Sequence, residues 1–389
     1  MEKNGKKLGE YLYEHLENNE YLRKLMEILS LQYAFWLFNG DWKLTNKQKY
    51  DLLKFADLLS KSISSQENNH QKNIALRIVA ILLKMYPNDP RVGLITNEVL
   101  TRFNNFLPRK KQGYSVIPTI DYLWNDVLKE YQKDKRQIPG QKNQSFIGKQ
   151  DVIFKSLASQ LNSFSAPTSM GKTFLIEKYI EFKVMTDSVE NFAITVPSKA
   201  LITEVKSRLI DDLGTKLSEN HYRVISHPEE FQSDYEGNFI FVMTPERLSA
   251  LIFQKPEVRL AYLFIDESQK ATEMSSRSIF YYEIFDQIKE WNNLPKITFA
   301  SPLVPNPGVF KQLVEANKKD EGLQITESPV TQVKIIFDRY AKEILIYDDL
   351  NKKATTIDKF TGTPSVSEIV LGMLKIQKGS KCNLIYYGS

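Results

Sequence analysis

The chain has 389 residues and a mass of 45.1 kDa, which is more than one ordinary domain and predicts two or three. Hydrophobic residues make up 42% and charged residues 25%, a globular composition that excludes disordered and collagen-like chains. The single cysteine, Cys382, excludes a disulfide scaffold. No apolar run is long enough for a signal peptide or a membrane span, so we expect a soluble, cytoplasmic protein.

Positive charge is concentrated in one segment. The formal net charge is +5, and residues 109–149 alone hold nine Lys and Arg against four acids. A basic segment of this kind indicates either a nucleic-acid footprint or a solvated linker, and both interpretations stay open at this point.

The first part of the chain is predicted to be an all-α domain, residues 1–108. Apolar residues recur at helical spacing over 11–37, 49–59 and 74–85, and Asp89-Pro90 is typical of a helix start. Residues 109–145 are predicted to form a basic connector with one helix, over 120–131.

The pattern of apolar residues changes at about residue 146. Short apolar strands are predicted at 163–166, 192–196, 239–243, 260–265 and 296–300, and an amphipathic helix follows each of them. This alternation is typical of an α/β fold with a parallel sheet and crossover helices, which we expect over residues 146–330. Active sites in such sheets lie at the carboxyl ends of the strands, so functional motifs should follow strands directly.

The segment APTSMGKT follows the first strand and opens a helix. It has the form of a phosphate loop, A-x-x-x-x-G-K-T, in which an alanine replaces the usual first glycine. Backbone N–H groups of such a loop bind phosphate oxygens, the lysine adds positive charge, and the threonine ligates Mg²⁺. The predicted ATP-binding residues are Ala166, Pro167, Thr168, Ser169, Met170, Gly171, Lys172 and Thr173.

A buried-strand pattern, LAYLFI, ends in the acidic turn DESQ at residues 266–269. Asp266 is predicted to hold Mg²⁺ together with Thr173, and Glu267 to orient and deprotonate the attacking water. The alternative is an ordinary acidic turn that caps the next helix. The phosphate loop upstream favours the metal site.

Four motifs occur in a fixed order: APTSMGKT, VPSKALITE, MTPERL and FIDESQ. They resemble motifs I, Ia, Ib and II of superfamily 2 helicases, most closely the DExH branch that contains Lhr-type and exosome-associated helicases. The resemblance covers about residues 145–389 and implies a RecA-like motor domain that hydrolyses ATP with Mg²⁺. It also implies that Gln150 reads adenine, for which a plain surface glutamine is the alternative. Gln269 occupies the last position of motif II, where it replaces His or Asp.

The third motif departs from the family pattern. The frame that reads Ser-Ala-Thr in the family is Ser301-Pro302-Leu303 here. The resemblance implies that Ser301 helps to couple hydrolysis to strand movement. Leu303 cannot form a hydrogen bond through its side chain, so we expect this coupling to be altered.

Motifs Ia and Ib are predicted to bind the backbone of a nucleic-acid strand. Both lie where a strand ends and a helix begins, so N–H groups and hydroxyls are available to phosphates. The alternative is plain helix capping by Ser198 and Thr244. The predicted contact residues are Pro197, Ser198, Lys199, Thr244, Pro245, Glu246 and Arg247.

Residues 331–389 are predicted to contain a crossing segment with strands at 333–337 and 343–347, a helix at 366–376, and the first strand of a second RecA-like domain at 382–389. Nothing in the chain corresponds to motifs V and VI. We therefore expect the 389-residue chain to bind Mg-ATP but to hydrolyse it slowly without the second lobe.

The sequence as a whole predicts an ATP-dependent helicase or translocase that acts on DNA or RNA. The alternative is a nucleotide-gated module that binds nucleic acid without unwinding it. In that case the helical N-terminal domain recruits a protein partner, for example in a bacterial phage-defence complex.

Overall fold

The computed structural model describes residues 2–3, 6–16, 18–38, 40–64, 70–105, 120–141, 144–186, 190–273, 276–315, 320–365 and 367–369. Contacts within the chain divide it into two units. One unit is Tyr131–Pro329, and the other joins Met1–Glu130 to Val330–Ser389.

The N-terminal region is helical, as predicted. A minimal hairpin, β1 (Glu2–Lys3) and β2 (Lys6–Lys7), precedes α1 (Leu8–Leu16), α2 (Glu20–Leu37), α3 (Asn46–Lys61), α4 (Gln71–Met85) and α5 (Pro90–Arg102). The predicted helical run 11–37 is divided because Asn19 caps α2 and accepts a hydrogen bond from the Leu22 N–H at 2.9 Å. Asp89 caps α5 as expected and accepts from the Arg91 N–H at 3.0 Å. The helix in the connector, α6, runs from Ile120 to Lys135.

The second unit contains the predicted parallel sheet. Its strands are β3 (Leu161–Ser165), β4 (Phe192–Thr195), β5 (Tyr222–Ile225), β6 (Asn238–Met243), β7 (Tyr262–Asp266), β8 (Lys296–Ser301) and β9 (Leu323–Gln324). All pairs are parallel, in the order β5-β6-β4-β7-β8-β3-β9. The five predicted strands are confirmed, whereas the two edge strands β5 and β9 escaped the sequence analysis.

Helices cover both faces of this sheet. They are α7 (Gln150–Ser156), α8 (Lys172–Met185), α9 (Lys199–Leu213), the short α10 (Lys216–Glu219), α11 (Pro245–Gln254) and α12 (Ser278–Lys289). One face packs on α7 to α9 through residues such as Ile176 and Val205, and the other packs on α11 and α12 through Leu251 and Ile284. The unit is therefore a RecA-like α/β fold.

The amphipathic helix predicted after the last of the five strands, over 308–317, is instead a 3₁₀ helix, Pro307–Leu313, and residues 316–317 lie outside the described residues. Gly308 allows the backbone of this 3₁₀ helix to lie close against the backbone of Asp320. A Cβ atom at this position would lie 1.5 Å from the Asp320 carbonyl oxygen, so only glycine fits against that backbone.

Three antiparallel strands follow the parallel sheet in the sequence: β10 (Lys334–Asp338), β11 (Glu343–Asp348) and β12 (Lys353–Lys359). The first two were predicted. This small sheet packs on the N-terminal helices, because the buried Arg77 of α4 donates to Asp349 at 2.6 Å and to the Tyr347 carbonyl at 3.1 Å. The predicted strand at 382–389, and all but residues 367–369 of the helix at 366–376, lie outside the described residues. Over the part of the chain that is described, no helix has the length and apolar character needed to cross a membrane.

Candidate functional site

The parallel sheet brings all the predicted motifs to one edge, because every strand ends on the same side. Neighbouring strands β7, β8 and β3 lead into motifs II, III and I, and neighbouring strands β4 and β6 lead into motifs Ia and Ib. Ser165 pairs with Ser301 and Asp266 with Ala300 in the register. The edge thus has two halves, which we name after the ligands predicted from the sequence. The nucleotide half lies after β3, β7 and β8. The strand half, named for a nucleic-acid strand, lies after β4 and β6.

The phosphate loop connects β3 to α8 through a 3₁₀ turn, Thr168–Met170. The Ala166 N–H donates to the Ser301 carbonyl at 3.2 Å, which ties the start of the loop to motif III. Gly171 has a φ of 74°, a left-handed conformation that favours glycine at this position. Ala166 is not among the residues with positive φ, so an alanine replaces the usual glycine without strain.

Lys172 lies inside the loop with only 4% of its surface exposed. Its Nζ donates to the Ala166 carbonyl at 3.4 Å, and no carboxylate in the described residues forms an ion pair with it. Burial lowers the pKa of Lys172, and the charges of Glu267 and Asp266 oppose this effect. A buried lysine without a direct ion-pair partner, at a loop of backbone N–H groups, suits an anionic phosphate ligand.

Asp266 and Thr173 meet across the nucleotide half. The Thr173 hydroxyl donates to Asp266 Oδ2 at 2.7 Å, and Asp266 is 4% exposed. Burial raises the pKa of Asp266, the Glu267 charge adds to this, and the Thr173 hydrogen bond and Lys172 oppose it. A hydroxyl beside a buried carboxylate is a donor set that fits Mg²⁺, whose charge would favour the ionised carboxylate.

Glu267 occupies a left-handed conformation with a φ of 54°, which is uncommon for a residue other than glycine. Its N–H donates to Asp266 Oδ1 at 3.0 Å, and the Gln269 amide donates to Glu267 Oε2. Two more polar atoms of this turn, Ser268 Oγ and Gln269 Oε1, are buried without a hydrogen-bond partner among the described residues. Unsatisfied polar atoms and strain at a strand end are typical of a ligand site.

Gln150 supports the phosphate loop from below. Its side-chain N–H donates to the Met170 carbonyl at 2.9 Å, and its Oε1 accepts from the Ile147 N–H at 2.9 Å. Only 6% of the residue is exposed, so it is not the surface glutamine considered as an alternative. Its reading of adenine stays a prediction.

Motif III lies beneath the phosphate loop. Ser301 is wholly buried, and its hydroxyl contacts the Phe164 carbonyl at 3.3 Å. Leu303, in the place of the family threonine, is 56% exposed. The serine is therefore part of the loop's support, and the leucine side chain faces solvent.

In the strand half, a backbone bond joins the loop after β4 to the end of β6, and a side-chain bond joins α11 to the loop after β5. The Val196 N–H donates to the Met243 carbonyl at 2.9 Å, and Arg247 donates to the Ser226 carbonyl at 3.0 Å. Ser198 caps α9 by accepting from the Leu201 N–H at 3.4 Å, whereas Thr244 makes no such cap on α11. The capping alternative thus holds for one of the two hydroxyls, and Lys199 remains exposed.

The sequence analysis missed Arg277, which precedes α12. Its guanidinium donates to the Pro197 carbonyl of motif Ia at 3.0 Å and to the Glu246 carboxylate of motif Ib. Burial alone would raise the pKa of Glu246, but the hydrogen bond and the charge of Arg277 lower it. Nothing in the local sequence marks this arginine, because the motif pattern ends at Gln269.

A buried charge cluster joins α8, the helix of the phosphate loop, to α9, the helix of motif Ia. Lys178 Nζ lies 2.9 Å from Glu181 Oε2 and 2.8 Å from Asp212 Oδ2, and Arg208 Nη2 lies 2.9 Å from Glu177 Oε1. Glu177 is 1% exposed, and burial raises its pKa to about 7 even though Arg208 opposes the shift. These residues lie on two helices that are separate in the sequence and belong to none of the motifs, so the sequence analysis did not single them out.

Comparison with known proteins identifies the sheet-bearing segment. Residues 142–302 match the family model of the DEAD/DEAH box helicase. No curated protein matches the chain.

Similar solved structures include the DUF1998 helicase MrfA bound to DNA, with 16% identity, a TM-score of 0.38, and coverage of 48% of this chain and 28% of that one. The same helicase bound to DNA and AMPPNP has 14% identity, a TM-score of 0.38, and coverage of 53% and 29%. A hypothetical ATP-dependent RNA helicase from Sulfolobus tokodaii has 17% identity, a TM-score of 0.35, and coverage of 48% and 54%. This chain therefore spans about a quarter to a half of the length of these proteins. The segment that matches the DEAD/DEAH box helicase family, residues 142–302, contains six of the seven strands of the parallel sheet, β3 to β8.

Proposed function

We propose that the chain is the ATP-binding part of an ATP-dependent helicase or translocase of superfamily 2, of the Lhr-type and exosome-associated branch. The observation that carries this proposal is the Thr173–Asp266 contact of 2.7 Å beside the buried Lys172, at the carboxyl edge of the sheet. These three side chains are the ones that a phosphate loop and its metal require.

The residues of the nucleotide half fit Mg-ATP. Backbone N–H groups of residues 166–173 and the Lys172 ammonium would hold the phosphates, and Thr173 and Asp266 would hold the metal. When bound, Mg-ATP supplies the phosphoanhydride bond that is hydrolysed. Glu267 would accept the proton of the attacking water, and the Gln269 amide keeps its carboxylate in place. Gln150 would add recognition of adenine from its position under the loop.

The strand half would bind a nucleic-acid strand through its phosphates. Lys199 is exposed at the start of α9, and the Ser198 and Thr244 loops meet beside it. Pro197, Glu246 and Arg247 are partly exposed and would line the same surface, and the buried Pro245 would support it from the first turn of α11. Contacts of this type bind DNA or RNA without reading sequence and weaken as salt rises.

The remaining parts of the chain would serve this motor. Ser301 ties β8 to the phosphate loop and would transmit the state of the nucleotide. We propose residues 146–330 as the motor domain, with the basic connector 109–145, a partner-recruiting helical domain at 1–108, and a crossing segment that leads from residue 331 into a second RecA-like lobe.

The direct test is ligand binding by the whole 389-residue chain. We expect calorimetry with Mg-ATP to show saturable binding, and fluorescence anisotropy with a labelled oligonucleotide to show salt-dependent binding. Absence of ATP binding by the folded wild-type chain would overturn the proposal.

A nucleotide-gated binding module without unwinding activity is the second candidate. The exposed Leu303 in place of the coupling threonine favours it, because hydrolysis would then be poorly linked to movement. Strand-stimulated ATP hydrolysis by a polypeptide with both lobes distinguishes the two, since a binding module gives strand binding without stimulated turnover.

A further inference from the structure

An arginine lies between the two loops of the strand half. Arg277 reaches the Pro197 carbonyl of motif Ia with Nη1 at 3.0 Å and the Glu246 carboxylate of motif Ib with Nε. In the sequence it lies eight positions after Gln269, the last residue of motif II. No motif of the sequence analysis includes it.

The two contacts fix the orientation of the guanidinium but leave some of its N–H donors available. Arginine carries five N–H donors, and the two described contacts engage one donor on Nε and one on Nη1. The other donors, including both on Nη2, have no acceptor among the described residues. The side chain is 52% exposed, so a ligand has access to them.

Glu246 places a carboxylate on a surface that we propose to bind phosphates, and its contacts show why it need not repel them. Its Oε1 accepts from Arg277, and its Oε2 is buried without a hydrogen-bond partner in the described part of the chain. The negative charge therefore faces the arginine and the protein interior. A fixed, partly buried carboxylate of this kind positions a guanidinium instead of binding an anion itself.

We propose that Arg277 binds a backbone phosphate of the nucleic-acid strand between motifs Ia and Ib, and that Glu246 is its positioning residue. The free edge of the guanidinium matches a phosphate in geometry and charge, and its fixed orientation reduces the entropy lost on binding. This proposal rests on the proposed strand binding. It adds one named phosphate contact between motifs Ia and Ib.

The experiment measures how the affinity of the whole chain for a labelled single strand depends on salt. One lost phosphate contact lowers the slope of log K against log salt by about 0.7 for a single strand. We expect this loss in Arg277→Gln, with a fall in affinity of roughly 3- to 30-fold near 0.1 M salt. Arg277→Lys should keep the slope but bind more weakly than wild type, because an ammonium cannot reproduce the fork. Glu246→Gln should keep the slope and weaken binding less than Arg277→Gln.

Lys289→Gln is the matched control, because Lys289 lies at the end of the same helix, is 42% exposed and is also ion-paired, to Asp286. It should leave slope and affinity unchanged. If Arg277→Gln behaves like Lys289→Gln, or if it weakens binding with an unchanged slope, Arg277 contacts no phosphate and the proposal is wrong. Unchanged Mg-ATP affinity in every variant shows that the chain is folded. A wild-type chain that binds ATP but no strand would instead overturn the proposed strand binding as a whole.

Discussion

The two halves of the functional edge are built in opposite ways. In the nucleotide half, Lys172 and Asp266 are each 4% exposed, and the groups that would meet a ligand already contact one another. In the strand half, the cations stand at the surface: Lys199 is exposed, and Arg277 is 52% exposed and held by a carbonyl and a carboxylate. The nucleotide half is therefore a group of buried charged residues, and the strand half is a set of exposed cations on loops that are hydrogen-bonded to one another.

This difference determines how each half should respond to substitution. Charges that interact away from water are weakly screened, so each buried group carries a large and specific effect. Surface cations act through water and salt, so each contributes little and several act together. Large single-residue effects are therefore expected in the nucleotide half, and small, salt-dependent ones in the strand half.

The largest effect is expected for Glu267→Gln. The variant keeps the size of the side chain and its contact with Gln269 but removes the carboxylate that we propose as the acceptor of the proton of water. Turnover should fall by about 10²- to 10⁴-fold while ATP still binds, because loss of a general base affects only the chemical step. The assay is steady-state ATP hydrolysis by a polypeptide that carries both RecA-like lobes. Glu273→Gln, a change at an exposed glutamate paired with Lys270, is the control. Near-normal turnover would show that Glu267 is not the base.

Lys172→Ala should have the next largest effect. The buried ammonium has no carboxylate partner among the described residues, so its charge is available to the phosphates. Loss of a charge-assisted contact should weaken Mg-ATP binding by at least about tenfold. Calorimetry on the 389-residue chain checks this, with Lys289→Ala, a change at an exposed residue at the end of α12, as the control. Equal ATP affinity for variant and wild type would contradict the phosphate-loop assignment.

The sequence predicted the local structure of the nucleotide half better than that of the strand half, for a physical reason. A strand, a glycine turn and a helix follow one another directly along the chain, so the strand–loop–helix element that carries Lys172 and Thr173 could be predicted from consecutive residues. Arg277 could not, because its role depends on contacts with Pro197 and Glu246, which lie 80 and 31 positions away. Geometry of that kind exists only in the folded chain.

The same limit explains the differences in the fold. The five central strands are continuous apolar runs and were predicted, whereas β5 and β9 are short edge strands whose pairing depends on their neighbours. The sequence predicted the first two strands of the sheet at 334–359 only as part of a crossing segment that leads to a second lobe. Its packing on the N-terminal helices depends on Arg77 and Asp349, which are 272 positions apart.

The buried cluster that joins α8 to α9 gives a pH-dependent prediction of intermediate size. Burial raises the pKa of Glu177 from 4.5 to about 7, so the folded chain keeps a proton that the unfolded chain has lost. Stability from this site should therefore fall as pH rises from about 4.5 to about 7 and then level off.

Glu177→Gln removes this titration. From about pH 5 to about pH 8, its free energy of unfolding should gain roughly 2–3 kcal/mol relative to wild type. Urea unfolding at both pH values measures the difference. Glu204→Gln, which changes an exposed partner of the same Arg208, should show no comparable gain. A variant with the same pH dependence as wild type would show that Glu177 is ionised in the fold at neutral pH.

The smallest effect is expected in the strand half, for Lys199→Ala. The residue is exposed at the start of α9, so its charge reaches a phosphate only through a screened, hydrated contact. Affinity for a single strand should fall by about 2- to 5-fold near 0.1 M salt, and the difference should vanish as salt approaches about 1 M. Lys255→Ala is the control. Lys255 follows the C-terminal end of α11, whereas motif Ib lies at the N-terminal end of that helix, so Lys255 is away from the edge where the motifs meet. A loss that persisted at high salt would mean that Lys199 makes a desolvated contact, and the strand half would then resemble the nucleotide half in construction.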